Sequence, residues 1–294
     1  MHARVRCVFM HITIVGHVAI DENISEHSSY ISAGGPAVFI HTIFSQLPDC
    51  RVAVIAPYGH DFVPHVQDMA LFPNMPSATR SLVYKNVTKH GTRQQKAMYR
   101  KTALPIPIDG VVEGVISHSD IVFIAPLLPN FSESYIATIT SACKTDALIV
   151  LLPQGYYRNF DAEDTVIGRD FSEAHTILGS VHIVIVSIED HPDMRHIAQE
   201  WSNAHTDLIV VMTDSENGAV IYQNNKKYVI ETSPVAAEDI VDSVGAGDIF
   251  SAAFGYQYKK THDIKKAATF ANAVARQSLF FQPKEIRIDP DTYV

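Results

Sequence analysis

The chain has 294 residues, 47% of them hydrophobic, which suffices for a large domain with a substantial core. Its net charge is -9, and the 23 Lys and Arg never gather into a block, which argues against nucleic acid as a partner although a few donors can hold a single nucleotide. Cys7, Cys50 and Cys143 fit neither a disulfide framework nor a CxxC metal site, no apolar run reaches the roughly 18 residues of a membrane span, and a reducing, cytoplasmic setting is expected.

Arg4 and Arg6 before an apolar run give the N-terminus a faint look of a secretory leader. His11 and His17 inside the run, and the lack of a small-residue cleavage site, favour a buried strand over 5–15 that ends at Gly16. Asp21 follows, in the kind of strand-end position where open α/β sheets bind ligands. A polar stretch through Ser28, Ser29 and Tyr30 leads to Ala33-Gly34-Gly35-Pro36, and 38–47 reads as a helix with Pro36 in its first turn. A buried strand over 51–56 precedes Gly59-His60-Asp61, where Asp61 is placed to cap a helix over 62–71. Two strands, 81–88 and 92–99, flank Lys89-His90-Gly91; Lys85, Asn86, Gln94, Gln95 and Lys96 make them too polar for a core, so they read as a lid or edge. From about 111 helices alternate with continuous apolar strands: helix 110–118, strand 121–125, helix 132–144, strand 147–152, helix 171–179, strand 182–187, helix 192–204 and strand 208–213, then a hairpin at Asn224-Asn225. Strands of this kind are buried on both faces, which predicts an α/β fold with a doubly wound, mostly parallel sheet flanked by helices. The expected organisation is one domain over 1–294, with a small β-sheet lid from about 17–33 and 79–101.

The chemistry centres on Asp242-Ser243-Val244-Gly245-Ala246-Gly247-Asp248, which runs straight into the helix-like Ile249-Phe250-Ser251-Ala252-Ala253-Phe254. Gly245 and Gly247 let backbone approach a charged ligand closely. The unpaired N–H groups of a helix start form a nest for an anion, helped by the helix dipole. A pattern of this length arises by chance in on the order of 10⁻⁴ of chains of this size. The dipole would also hold the Asp248 carboxyl below its ordinary range.

This stretch resembles the signature of the ribokinase-like (pfkB-type) carbohydrate kinases, and the resemblance runs along most of the chain. Gly34-Gly35 before a helix, Gly59 and Asp61, Thr213 with Gly218 before a hairpin, and Phe270-Ala271-Asn272-Ala273 are similar to the family's other motifs. The resemblance implies a doubly wound sheet with a β lid, ATP as donor and Mg²⁺ as cofactor. It implies Asp248 as the base for the acceptor hydroxyl, with the backbone of Gly245, Ala246 and Gly247 as the anion hole. On the nucleotide side it implies Ser187, Thr213, Gly218, Asp242 and Asn272. Glu189 and Asp190 would reach the metal through water, a monovalent cation near Asp239–Asp242 is an open option, and some relatives pair as homodimers through the lid. Three positions depart from the family pattern: Ser187-Ile188-Glu189-Asp190 replaces Asn-x-x-Glu, Ser215 replaces a glycine, and Phe39 replaces a sugar-binding asparagine.

Gly34-Gly35-Pro36-Ala37-Val38-Phe39-Ile40 and Pro153-Gln154-Gly155-Tyr156-Tyr157-Arg158 are similar to segments of the myo-inositol kinase branch. That places Asp21, Gly34, Gly35, Phe39, Gln154 and Arg158 on the acceptor side; read alone, Arg158 is as well explained as an exposed loop residue. The leading expectation is phosphoryl transfer from ATP to a hydroxyl of a small neutral polyol or sugar, a cyclitol first. A nucleoside kinase and a non-catalytic ligand sensor are the alternatives. A nicotinamide dehydrogenase is disfavoured, because Gly16 stands alone where a Gly-x-Gly-x-x-Gly turn belongs.

Overall fold

Residues 9–26, 28–65, 68–89 and 92–288 are described by the computed structural model. The first half contributes β1 (Met10–Gly16), β2 (Ala19–Ile24), β3 (Ser29–Gly34), α1 (Pro36–Phe44), β4 (Cys50–Ile55), β5 (Ala70–Phe72), β6 (Val83–Lys89), β7 (Thr92–Met98), α2 (Gly110–Ser117), β8 (Ile121–Ala125) and α3 (Glu133–Ala142). The second half contributes β9 (Leu148–Leu151), β10 (Arg158–Phe160), β11 (Val166–Gly168), α4 (Ala174–Leu178), β12 (Ile183–Ser187), α5 (Met194–Ala204), β13 (Ile209–Thr213), β14 (Ala219–Gln223), β15 (Lys226–Ile230), α6 (Ala246–Thr261) and α7 (Ile264–Ser278).

Nine strands form the main sheet in the order β15-β14-β13-β12-β9-β8-β1-β4-β5. It is parallel from β13 to β5, and β14 and β15 turn back antiparallel at one edge. The pleat sorts its side chains. Ile12, Ile14, Phe123 and Val150 pack with α1, α6 and α7, whereas Val15, Val122, Ile124 and Ile149 pack with α2 to α5. Two-sided burial is why these strands lack polar alternation. Strand order reverses around β1, which opens a crevice at the carboxyl ends of the strands.

The polar segments form a second sheet, β3-β2-β6-β7, in which β2 and β6 run parallel and the other pairs antiparallel. A third, two-stranded ribbon of β10 and β11 went unrecognised in the sequence. It leans on the second sheet through the bridge of Lys96 to Thr165, the bond from the Ala97 amide to the Asp164 carbonyl (2.9 Å) and the Arg100–Asp164 ion pair.

Several expectations need correction. In place of a helix over 62–71 there is a 3₁₀ helix, His60–His65, and then β5. Pro64 inside that segment removes a donor that an α-helix needs. Asp61 caps no α-helix; it accepts from the Ser81 amide (2.8 Å) and hydroxyl (2.7 Å) and so anchors the entry to β6. The polar stretch at 28–30 begins a strand, because Asn23 and Tyr30 pair across β2 and β3. Residues 5–8 of the expected first strand, with Cys7, and the turn residues His90 and Gly91 lie outside the described residues. The Asn224-Asn225 hairpin forms as expected, both residues with positive φ. Among the described residues no helix is long and apolar enough to cross a membrane.

Candidate active site

A cavity of about 550 Å³ lies between the carboxyl ends of β8, β9 and β12, the inner face of the second sheet and the start of α6. It brings together Asp21, Gly35, Phe39, Gln154, Arg158, Glu189, Asp190, Gly245, Ala246, Gly247 and Asp248. Residues more than 200 positions apart in the sequence thus share one space.

The glycines shape it. A Cβ on Gly34 would overlap the Asp21 carboxylate, so that glycine gives Asp21 its place. Gly245 caps α6 with φ +82, and a Cβ there would strike the Phe39 ring. Phe39 is 2% exposed. Its ring supports the start of α6 and also forms part of the cavity wall. The Ala246 amide donates to the Ser243 carbonyl (3.2 Å) and is spent inside the turn. Among the described residues the amides of Gly245, Gly247 and Asp248 have no acceptor, so of the three expected amides only that of Ala246 is taken up, and Asp248 adds one that the motif did not suggest. A Cβ on Gly247 would meet nothing within 4 Å. Asp242 holds the preceding turn: one oxygen accepts from the Val244 amide (2.8 Å), the other from the Tyr30 hydroxyl of β3.

Asp248 stands half-buried beside this nest. Burial pushes its carboxyl from an ordinary 3.8 up to about 7, with the negative charges of Asp21 and Asp190 adding to the rise and Arg158 opposing it. That reverses the expectation of a lowered value, with loss of hydration as the largest cause. Burial likewise raises Asp190 to about 6, against the Ser187 amide that donates to it (2.8 Å) and the nearby Arg158. The Arg158 guanidinium lies over the Tyr84 ring at 4.8 Å, with its Nη1 buried and unpartnered among the described residues. The buried Tyr157 hydroxyl is unpartnered too.

Asn272 lines a second cavity, about 580 Å³, with Glu231, Ser233, Thr269, Arg276 and Phe280. Its side chain donates to the Ile230 (3.3 Å) and Glu231 (3.2 Å) carbonyls and ties α7 to the end of β15. Thr213 and Ser187 lie side by side at the ends of β13 and β12, and Gly218 turns the chain with φ +87; Thr213 and Gly218 line neither cavity. No cluster of three or more metal-binding side chains occurs among the described residues. Glu189 and Asp190 offer hard oxygens that suit Mg²⁺ held through water, as that ion commonly is.

Sequence reasoning missed Tyr84, Asn86 and Gln95 of the second sheet, Tyr157, and the Val166–Gly168 strand, all at the cavity wall. The one available signal was the excess of amides on β6 and β7, noted only as polarity.

Unpaired helix-start amides beside a carboxylate, at the switch point of a doubly wound sheet with a small second sheet beside it, make up a ribokinase-like fold, and the family model that matches the chain makes it a phosphotransferase. The chain belongs to the pfkB family of carbohydrate kinases, whose model matches residues 80–280. It is 19% identical over 281 residues to the cytidine kinase of Thermococcus kodakarensis, covering 91% of this chain and 95% of that one. Among solved structures it is similar to a pyrophosphate-dependent myo-inositol-1 kinase converted into a myo-inositol-3 kinase (20% identity, TM-score 0.73, 92% and 93% of the two chains). It is also similar to the ribokinase of Arabidopsis thaliana complexed with ribose and ATP (15% identity, TM-score 0.69, 93% and 94%).

Proposed function

We propose that the chain transfers the terminal phosphoryl group of ATP to a hydroxyl of a small neutral polyol or sugar, with a myo-inositol-like cyclitol as the favoured acceptor. The observation that carries this reading is the Asp248 carboxylate beside the unspent amides of Gly247 and Asp248, in one cavity with Asp21. Asp248 takes the proton of the acceptor hydroxyl, whose oxygen then attacks the terminal phosphorus as the bond from that phosphorus to the bridging oxygen breaks and ADP leaves. The two amides bind the phosphoryl oxygens as charge redistributes in the transition state. A carboxyl raised to about 7 is a better base at neutral pH than an ordinary aspartate.

Charge supports a neutral acceptor. The cavity wall carries Asp21, Glu189, Asp190 and Asp248 against one cation, Arg158. Four carboxylates less one guanidinium leave an excess of three negative charges when all are ionised, which would repel an anionic acceptor. The same excess is why a divalent cation would be needed beside a polyphosphate donor. Glu189 and Asp190 would hold Mg²⁺ through water, and the ion would neutralise donor charge. The second cavity beside Asn272 has room for a purine, which supports a nucleotide over bare pyrophosphate. The second sheet serves as the lid, and the free Cys50 and Cys143 support a reducing cytoplasm.

The test is turnover with Mg²⁺ and either ATP or pyrophosphate against myo-inositol, ribose, cytidine and adenosine, with products read by phosphorus NMR. ATP with a cyclitol should give the highest kcat/KM. Cytidine or adenosine as best acceptor would make this a nucleoside kinase, and no turnover on any pair would refute the kinase reading.

A further inference from the structure

We infer that Asn86 and Gln95 choose the acceptor, by reading hydroxyls on the edge of the molecule remote from the reacting one. This deepens the kinase reading above and rests on it.

Strand register lays two rungs across the inner face of the lid. One runs Ser32, Asp21, Tyr84, Ala97; the next runs Tyr30, Asn23, Asn86, Gln95. The first rung is committed. Asp21 is seated on Gly34, and the Tyr84 hydroxyl donates to the Leu127 carbonyl (2.9 Å) beneath Arg158. The second rung is a directed chain of amides. Gln95 Nε2 donates to Asn86 Oδ1 (2.8 Å), and Asn86 Nδ2 donates to Asn23 Oδ1 (2.9 Å). The chain stops at Asn23 Nδ2, which is buried without a partner among the described residues.

The chain ties each amide to its neighbour on the rung. Asn86 and Gln95 line the cavity, while Asn23 stands behind them. Toward the cavity they present the second N–H of Asn86, and the oxygen and second N–H of Gln95. That mixture of donors and acceptor suits hydroxyls, which both give and take hydrogen bonds. Asn86 is 4% exposed, so an unmatched amide there has no water to fall back on. The rungs lie two residues apart along each strand, roughly 7 Å. That is about the width of a polyhydroxylated six-membered ring, so a ring held near Asp21 on one side meets the amides on the other. A lid that needed only to cover the site would be cheaper with apolar side chains here, since a buried amide donor without an acceptor costs stability.

The test compares Asn86→Leu and Gln95→Leu with the parent protein on myo-, scyllo- and epi-inositol, ribose and cytidine. Turnover and calorimetric binding are both measured. Gln95 is only half-buried on the outer strand β7, so its variant keeps the fold even where Asn86→Leu lowers the melting temperature. The expected result is a KM for the best acceptor raised about 10- to 100-fold, kcat within about threefold, and a changed ranking of the stereoisomers. Folded variants with unchanged KM, binding and ranking overturn the inference, as does a loss confined to kcat. A parent that phosphorylates nothing sinks the kinase reading alone: weaker acceptor binding in the variants still supports the inference, and unchanged binding still overturns it. A parent that binds none of the five overturns both.

Discussion

Replacing Asp248 by Asn separates catalysis from stability, because the structure makes this residue costly to the fold. The folded state holds the Asp248 proton more tightly than the unfolded chain does, with the carboxyl raised from 3.8 to about 7. The unfolded chain gives up its proton near pH 4, the folded one only near pH 7. Stability is therefore lost as pH rises through that window, by about 1.4 kcal/mol per pH unit. The full span is about 3 pH units, or about 4 kcal/mol; the cavity admits water, which screens part of it, so about 2–4 kcal/mol is expected. Asn fills the same volume without the charge. At pH 8 the variant should be more stable than the parent and melt about 4–8 °C higher, while at pH 4 the two should nearly coincide. Its turnover should fall at least about 10³-fold, since Asn cannot take the proton. Thermal melts from pH 4 to pH 8, without ligand, read the first effect and product formation reads the second. A stability difference that stays flat across that range would refute the burial argument. Turnover like the parent's would refute Asp248 as base.

The same shift sets the pH–rate profile. The base works ionised, so kcat/KM should climb with pH and level off above about 7; a flat profile between pH 5.5 and pH 8 would exclude Asp248 as the titrating group. Gly247→Val should fold normally, because a Cβ there meets nothing within 4 Å, yet it should cut kcat at least about 100-fold by crowding the free amides. Circular dichroism melts beside kinetics check both halves. Gly245→Ala should behave differently, losing about 1–3 kcal/mol in urea titrations through its φ of +82 and the collision with Phe39. Phe254→Ala, at a fully buried position where α6 meets the main sheet, should cost about 3–5 kcal/mol by the same titration.

The ribbon of β10 and β11 links the site to the second sheet. Arg158 begins β10, and the ribbon's far end is held to that sheet by Asp164 through Arg100 and the Ala97 amide. Arg100 also lies over the Phe160 ring at 4.2 Å. Arg158 is thus mounted on an element tied to the second sheet, although the chain reaches it from the main sheet through β9.

By itself, the sequence determined what local chemistry can determine. Unbroken apolar runs such as Ile121–Ala125 announced a sheet buried on both faces. Asp242 to Asp248 announced a tight turn into a helix start, because the spacing of two glycines and a terminal carboxylate is written in consecutive residues. Tertiary structure alone decided what depends on distant neighbours. The Ala246 amide is spent on Ser243, while those of Gly245, Gly247 and Asp248 stay free. Asp248 titrates high because the assembled cavity takes away much of its hydration and because Asp21 and Asp190 converge on it from elements far away in the chain. Phe39 meets the start of α6 because Gly245 arrives against its ring. The amides of the second sheet acquired a direction only when register set Asn23, Asn86 and Gln95 side by side. Periodicity reports which face a residue shares with its near neighbours, whereas desolvation, charge and hydrogen-bond partners are properties of the assembled space.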